Sequence, residues 1–407
     1  MPAQESIWPA EADTLQPTLR IVHVITRLIV GGAQENTIAS VLGLRARPDL
    51  DIMLVSGPTT GPEGSLEDLV RRVPGLFTLV PTLVRPIHPW LDCFALRDLS
   101  RLFALIQPDI VHTHSGKAGV LGRLAARRAN VPTIVHTIHG PSFGAFQGAL
   151  SNWIFRIAER WAGRYTTHFV AVAQAMIEQY LAEGIGCREQ YSRILSGFDV
   201  SLYSHATNDL NTRAALGLLP GDFVVGKIAR LFALKGHADL FAVAPSLIQR
   251  CPHMRFLLVG DGPWRQRFEL ECRGRGLHKH FVFTGLVAPE EMPRYVGVMD
   301  ALVHLSRREG LARALPQAMA AGKPIIAYDC DGAREVCVDA ETGFLLAPGD
   351  LTALTDRLLR LAGDPLLGRG LGGRGRALVM RAFPVERMID EIHALYLELT
   401  RHRPGRS

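Results

Sequence analysis

Two cations and a carboxylate stand at spacings suited to holding a phosphate ester. In GKIARLFALKGH (Gly226–His237), Arg230 and Lys235 lie five residues apart on a strand-to-helix connection. Two cations there can clamp a diphosphate and neutralise charge growing on a leaving group. In HLSRREGLARALPQAMAAGKP (His304–Pro324), an apolar strand runs out at Ser306 and a short loop carries Glu309-Gly310. Pro316 is then expected to open a helix that Gly322 closes, with Pro at the first helical position and Gly past the end. A helix N-terminus leaving a strand–loop–helix unit suits anions, and a carboxylate just before it can reach sugar hydroxyls.

Three other segments carry candidate chemistry. GDGP (Gly260–Pro263) is a tight turn, where Gly260 and Gly262 permit close backbone approach. Gly31-Gly32 precedes a helix expected to begin near Ala33, and the pair is too short for a dinucleotide fingerprint. The stretch His112–Gly140 is dense in histidine, with His112, His114, His136 and His139. A zinc reading is rejected, because alternate positions on two strands point to both faces and no Cys or carboxylate completes a ligand set. A strand-end imidazole such as His139 is a good acid, base or hydrogen-bond donor near neutral pH. His112 and His136 are read as buried or structural.

The elements that must position these groups follow from periodicity. Short β-branched runs alternate with helical stretches. In the first half the runs are Arg20–Ile25, Ile52–Gly57, Asp109–His114, Thr133–Ile138 and Phe169–Ala173. In the second half they are Phe223–Ala229, Arg255–Gly260, Phe281–Gly285, Ala301–Ser306 and Pro324–Asp329. Continuously apolar strands alternating with helices imply parallel sheets covered on both faces. The series restarts after the polar segment Ser204–Asn211. This predicts an α/β protein with one Rossmann-like domain over 18–205, a second over 206–384, and a last helix, 385–400, that can pack back on the first. The polar and Gly-rich features fall at strand carboxyl ends, where open α/β sheets place ligands.

Composition narrows the classes. The chain has 407 residues, 21% of them charged, with a net charge of +6. That length suits two or three domains, and the positive balance favours anionic partners. Aromatics make up 7% of the chain and do not interleave with the basic residues, which disfavours nucleic acid. The six cysteines, Cys93, Cys187, Cys251, Cys272, Cys330 and Cys337, show no paired spacing and read as reduced thiols. No run of ~18 apolar residues offers a membrane span. Met1–Pro17 lacks a signal pattern and is expected to fray, as is the ending RHRPGRS. Arg123, Arg127 and Arg128 on one helix, and Arg156, Arg160 and Arg164 near Trp153, Phe155 and Trp161 on another, suit an anionic bilayer surface.

Taken in order, these segments resemble retaining glycosyltransferases of family 4, over most of residues 20–400. The resemblance rests on R-x4-K-G at Arg230–Gly236, on HTH-x-x-KAG…HG over His112–Gly140, and on the Glu-x7-Glu element that begins at Glu309. The second Glu of that element is Gln317 here. CDGAREV (Cys330–Val336), with Glu335, and Thr342–Leu346 match later family segments. The resemblance implies the GT-B fold, two Rossmann-like parallel-sheet domains facing an interdomain cleft. It implies an NDP-sugar donor on the second domain, a glycan or polyprenyl-linked acceptor on the first, retention of anomeric configuration, and no metal or other cofactor. Arg230 and Lys235 become phosphate ligands, Glu309 a contact to the donor sugar, and Gln317 a contact to the ribose. Gly260, Gly262 and Gly310 line the donor, Gly31 and Gly32 approach the donor phosphates or the acceptor, Leu286 lies in the segment that reads the base, and His139 stands beside the sugar. The implied location is the cytoplasm, peripheral on the inner face of the membrane. A sugar-nucleotide epimerase of the same fold and a non-catalytic nucleotide-sugar binder are the competing readings.

Overall fold

The computed structural model describes residues 18–61, 63–144 and 147–401. Apart from Arg401, the two termini expected to fray lie outside these residues. The chain divides into two compact units, one comprising the residues to Gly197 with those from Val385 onward, the other Phe198–Pro384. The division therefore falls before the expected residue 205. The backbone N–H of Phe198 donates to the Phe383 carbonyl at 3.1 Å, and its ring meets Tyr203 edge-on at 5.4 Å. Those two contacts tie the helix Val200–Ser204 to the second unit.

The first unit holds a seven-stranded parallel sheet in the order β3-β2-β1-β4-β5-β6-β7. Its strands are β1 (Leu19–Ile25), β2 (Leu50–Ser56), β3 (Phe77–Leu79), β4 (Ile110–His114), β5 (Thr133–Ile138), β6 (His168–Ala171) and β7 (Tyr191–Arg193). The second unit holds a six-stranded sheet in the order β10-β9-β8-β11-β12-β13. Its strands are β8 (Phe223–Ile228), β9 (Met254–Val259), β10 (Phe281–Gly285), β11 (Ala301–His304), β12 (Ile325–Tyr328) and β13 (Gly343–Leu346). The three strands absent from the sequence reading, β3, β7 and β13, all lie at sheet edges. β3 and β7 have three residues each, none of them buried, so no apolar run marks them.

Both sheets are covered on two faces, which is why their strands read as unbroken apolar runs. On one face of the first sheet, Ile21, Ile25 and Ile52 pack with Val41 and Leu44 of the helix Gly32–Arg45. The C-terminal helix Val385–Thr400 adds Met388, Ile392 and Tyr396 to the same cluster. On the other face Val22, Val24 and Met53 meet Leu99 and Phe103 of the helix Pro89–Ile106. The helix expected to open at Pro316 starts two residues earlier, at Ala314. Pro316 is thus its third residue, still among the first N–H positions that lack an intrahelical partner, so its missing donor costs no bond.

Strand order reverses between β1 and β4 in the first unit and between β8 and β11 in the second. Such switch points open crevices at strand carboxyl ends. They are the reason the candidate residues gather where they do.

The first sheet also buries a layer of imidazoles. His23, His112, His114 and His136 are each at most 1% exposed. Burial lowers the pKa of His23 to about 3 and of His139 to about 4, and holds His112, His114 and His136 well below the ordinary 6.5. Between those values and 6.5 the unfolded chain binds more protons than the folded one, so stability rises with pH across that window. Thermal melting followed from pH 7.5 down to pH 4 should show a steep loss of stability beginning near pH 6.5. A flat melting temperature over that range would mean the imidazoles are not buried and neutral.

Candidate functional site

In the second unit, the loops after β8 and β11 are knitted together at the switch point. Arg307 N–H donates to the Leu234 carbonyl at 2.8 Å, and the Ser306 hydroxyl reaches the same carbonyl at 3.3 Å. Gly236 lies with φ 66°, and a Cβ there would fall 2.0 Å from the Leu305 carbonyl oxygen. This close approach brings Lys235 onto Glu309, and their side chains form an ion pair. The Glu309 backbone N–H donates to Asp331 Oδ2 at 2.7 Å, from the loop after β12. Asp331 itself adopts φ 49°, a left-handed conformation that costs energy away from glycine.

The carboxyl of Glu309 is partly buried. Burial alone would raise its pKa, but His304 at 3.5 Å and the Lys235 ammonium outweigh that and hold it well below the usual carboxylate range. His304 is buried and its pKa is lowered chiefly by burial, so the neutral imidazole faces a charged carboxylate. Arg230 is exposed at the end of β8, with its guanidinium 5.5 Å from the Phe232 ring. Its carbonyl is engaged by His237 Nε2 at 3.0 Å.

Gly260 and Gly262 approach backbone closely, as expected, but the backbone is the chain's own. A Cβ on Gly260, at φ 131°, would lie 2.4 Å from the Ala229 carbonyl oxygen. One on Gly262 would lie 2.5 Å from that of Leu231. These glycines seat the turn that presents Arg230. Leu286, just beyond β10, is exposed. The Gly310 carbonyl accepts from Gly332 N–H at 3.0 Å. Gln317 is 8% exposed in the helix Ala314–Ala320 and so faces inward.

In the first unit, Gly31 caps the helix Gly32–Arg45 with φ 172°, an extended conformation open to any residue. His139 follows β5 and is partly exposed. The histidines sort by strand face. His112, His114 and His139 share one face and His136 takes the other, where its Nδ1 lies 2.9 Å from Thr113 Oγ1. The expectation that the strand histidines scatter over both faces thus holds only for His136. His23, brought alongside by the β1–β4 pairing, joins the shared face. Ring nitrogens of His23, His112 and His114 all lie within 4.8 Å of one another. Those nitrogens are taken up in hydrogen bonds to each other, to His139, to Thr137 and to Tyr396.

Two comparisons of sequence and one of structure bear on this arrangement. Residues 209–377 match the family described as glycosyl transferases group 1, and residues 31–191 match a glycosyl transferase 4-like domain. A Bacillus subtilis protein carried under the provisional name glycosyltransferase EpsD is 30% identical over 332 residues, covering 79% of this chain and 85% of that one. The chain belongs to the group 1 glycosyltransferases. The Escherichia coli UDP-Gal:alpha-D-GlcNAc-diphosphoundecaprenol alpha-1,3-galactosyltransferase is 28% identical over 389 residues, covering 94% of this chain and 97% of that enzyme. Anabaena HepE, solved with UDP-glucose, superposes with a TM-score of 0.78 at 22% identity, covering 93% of this chain and 100% of that one. This likeness is one of fold, and the two parallel-sheet units are those of the GT-B glycosyltransferases. Arg230, Lys235, Gly260, Gly262, Leu286, Glu309, Gly310 and Gln317 fall inside the first matched span, and Gly31, Gly32 and His139 inside the second.

Sequence reasoning missed His304, Asp331 and Lys227 in this glycosyltransferase. Lys227 lies mid-strand in β8, 1% exposed, and its Nζ has no hydrogen-bond partner. The available signal was a lysine inside VVGKIA, a run apolar on both faces from which no side chain can reach water. Burial first, then the nearby Lys235 charge, lower its pKa from 10.5 to about 7, with Asp239 and Glu309 opposing. The unfolded chain therefore binds more protons between pH 7 and pH 10.5, and stability from this group rises with pH there. Lys227→Met should raise the melting temperature most at pH 7 and progressively less toward pH 10. A loss of stability at pH 7 would show that the ammonium is held by a favourable partner.

Proposed function

We propose that this glycosyltransferase moves a sugar from a nucleoside diphosphate donor to a lipid-linked or glycan acceptor, with retention at the anomeric carbon. The observation that carries this is the Lys235–Glu309 pair beside Arg230, at the switch point between β8 and β11. The bond from the anomeric carbon to the diphosphate breaks as an acceptor hydroxyl attacks from the same face, and the hydroxyl proton passes to the departing diphosphate oxygen. Arg230 and Lys235 take up the charge that grows on the leaving diphosphate, which removes the need for a divalent cation in that role. Glu309, held ionised, positions the Lys235 ammonium and accepts hydrogen bonds from sugar hydroxyls. Gln317 contacts the ribose, where an amide both accepts and donates. His139 meets the donor sugar or the acceptor. The E. coli galactosyltransferase acts on a diphosphoundecaprenol-linked sugar, and HepE was solved with UDP-glucose, which supports an acceptor and a donor of these classes.

A screen of nucleotide sugars for thermal stabilisation identifies the donor, since a ligand raises apparent stability by mass action. With that donor, Arg230→Ala and Lys235→Ala should each lower turnover ~10²-fold or more while the fold persists. Glu309→Ala should do more damage than Gln317→Ala, whose main effect should be a raised donor KM. Near-native turnover in both cation variants would remove the clamp from the mechanism. Epimerisation of the donor without acceptor would replace transfer altogether.

We further propose that the chain works in the cytoplasm, docked peripherally on an anionic membrane. No helix among the described residues is long and apolar enough to cross one. The helix Ala149–Gly163 presents Leu150, Trp153, Ile154, Ile157 and Trp161, all exposed and spaced along one helical face; Trp153 is 60% exposed. Phe155, by contrast, packs against buried Phe143 and Ile177. The basic part of the surface is smaller than the sequence suggested. Arg123 is fully buried against Glu159 at 2.5 Å, and Arg156 and Arg160 both pair with Glu183. The apolar stripe therefore supplies most of the attraction. In flotation with phosphatidylserine-containing vesicles, the double variant Trp153→Ser/Trp161→Ser should bind ~10-fold more weakly, because two large apolar side chains no longer leave water. Raising salt should weaken native binding less than that. No binding of the native chain at low salt ends the proposal.

A further inference from the structure

Three buried imidazoles of the first unit, His23, His112 and His114, lie in one unbranched chain of hydrogen bonds that ends on His139. Thr137 Oγ1 lies 2.6 Å from His112 Nε2, and His112 Nδ1 lies 2.5 Å from the Tyr396 hydroxyl. That hydroxyl lies 3.1 Å from His23 Nε2. His23 Nδ1 is 2.9 Å from His114 Nε2, and His114 Nδ1 is 3.0 Å from His139 Nε2. His23, His112 and Tyr396 are 0% exposed and His114 is 1% exposed, so water does not interrupt the series. Thr137, at the far end, lines a small and mainly apolar cavity that also includes Asn36 and Ser40.

Proton counting makes this chain all-or-none. A neutral imidazole has one N–H donor and one bare nitrogen, and a hydroxyl has one hydrogen. Each interior member has a partner on both sides, so a member that donates forward must accept from behind. Only two hydrogen arrangements satisfy every link and also place the Tyr396 hydrogen in one, and both run in a single direction from end to end. In one, Thr137 donates to His112, the hydrogens all point toward His139, and His139 Nε2 accepts. Its hydrogen is then on Nδ1. In the other, His139 Nε2 donates to His114 and Nδ1 is bare. Switching between them moves one proton along each link, with one proton released at His139 Nδ1 and one taken up at Thr137. A mixed arrangement would set two hydrogens or two lone pairs against each other, or leave the Tyr396 hydrogen unpaired in the core, at the cost of an unmade buried hydrogen bond.

We propose that Thr137, His112, Tyr396, His23 and His114 are a proton-ordered relay whose direction is shared by every member and fixes which ring nitrogen of His139 carries its hydrogen. The relay thereby decides whether His139 Nδ1, which has no hydrogen-bond partner among the described residues, offers a donor or an acceptor. Its functional value rests on the reading of His139 as a substrate contact. Tyr396 is the member that sequence order hides best. It comes from the C-terminal helix, 373 residues from His23, and acts as a positioning residue for a side chain it does not touch.

The test is nitrogen NMR of the full chain labelled with 15N-histidine, in which two-bond couplings separate protonated from bare ring nitrogens. In the native chain His112, His23, His114 and His139 should share one tautomer ratio, with mixed sets disfavoured about tenfold or more, the worth of one hydrogen bond of about 1.4 kcal/mol. Tyr396→Phe, which removes a single oxygen, should let the ratio of His112 depart from that of the other three. Thr137→Val, at the far end of the series, should shift the four ratios together and serves if Tyr396→Phe fails to fold. Unequal ratios in the native chain, or a His139 ratio that Thr137→Val leaves unchanged, overturn the relay, whatever happens to the melting temperature. So does a native chain that binds added Zn2+ through His23, His112 and His114, since the trio would then be a metal site. The readout needs no substrate. The role of His139 in transfer is judged apart from it, by whether His139→Ala loses turnover on the donor from the stabilisation screen while its melting temperature holds.

Discussion

The second unit is organised around a charge that burial opposes and an ion pair retains. Glu309 sits partly out of water, where a carboxyl would ordinarily gain a proton, and the His304 imidazole together with the Lys235 ammonium keeps it ionised. That pair requires the loops after β8 and β11 to touch, which explains the backbone bonds from Arg307 to Leu234, the close approach at Gly236 and the Asp331 carboxylate on the Glu309 N–H. Neighbouring groups respond to the same field. His304 stays neutral, and Lys227, buried without a hydrogen-bond partner, is pushed toward neutrality partly by Lys235 itself. The site is thus stocked with one fully ionised pair and two groups whose charge is suppressed. Such a cluster can accept a diphosphate without first accumulating unbalanced positive charge.

The first unit solves the opposite problem. Its switch point is lined by polar groups that carry no charge, and these are paired with one another in place of water. Satisfying buried polar atoms mutually avoids the desolvation cost that an unpaired imidazole would bear. It also makes the outermost member, His139, dependent on groups deep in the sheet. The C-terminal helix is part of that arrangement and not an appendage, since Tyr396 supplies the hydroxyl between His112 and His23.

The α/β alternation, both parallel sheets and the strand-end placement of Arg230, Lys235, Glu309 and His139 were legible in the sequence. Each depends on local pattern: apolar runs of strand length, helical stretches between them, and polar residues where the runs stop. The edge strands β3 and β7 were not legible, because each has three residues, none of them buried, and so forms no apolar run. The burial of Arg123 was hidden for a different reason. A guanidinium on a helix reads as solvent-facing unless its partner is known, and Glu159 lies on another helix.

Taken alone, the sequence determined which side chains stand at the ends of strands and which cations share a loop, because chain order and backbone period decide those. It did not determine who meets whom. Lys235 and Glu309 are 74 residues apart and become neighbours only because β8 pairs with β11. His23 meets His114, and so reaches His139, because β1 pairs with β4. Strand order comes from the packing of whole helices on whole sheets, a sum over many weak contacts that no short stretch of residues encodes. The ionisation of Glu309 and the hydrogen-bonded surroundings of His139 are consequences of those pairings, and only the tertiary structure could decide them.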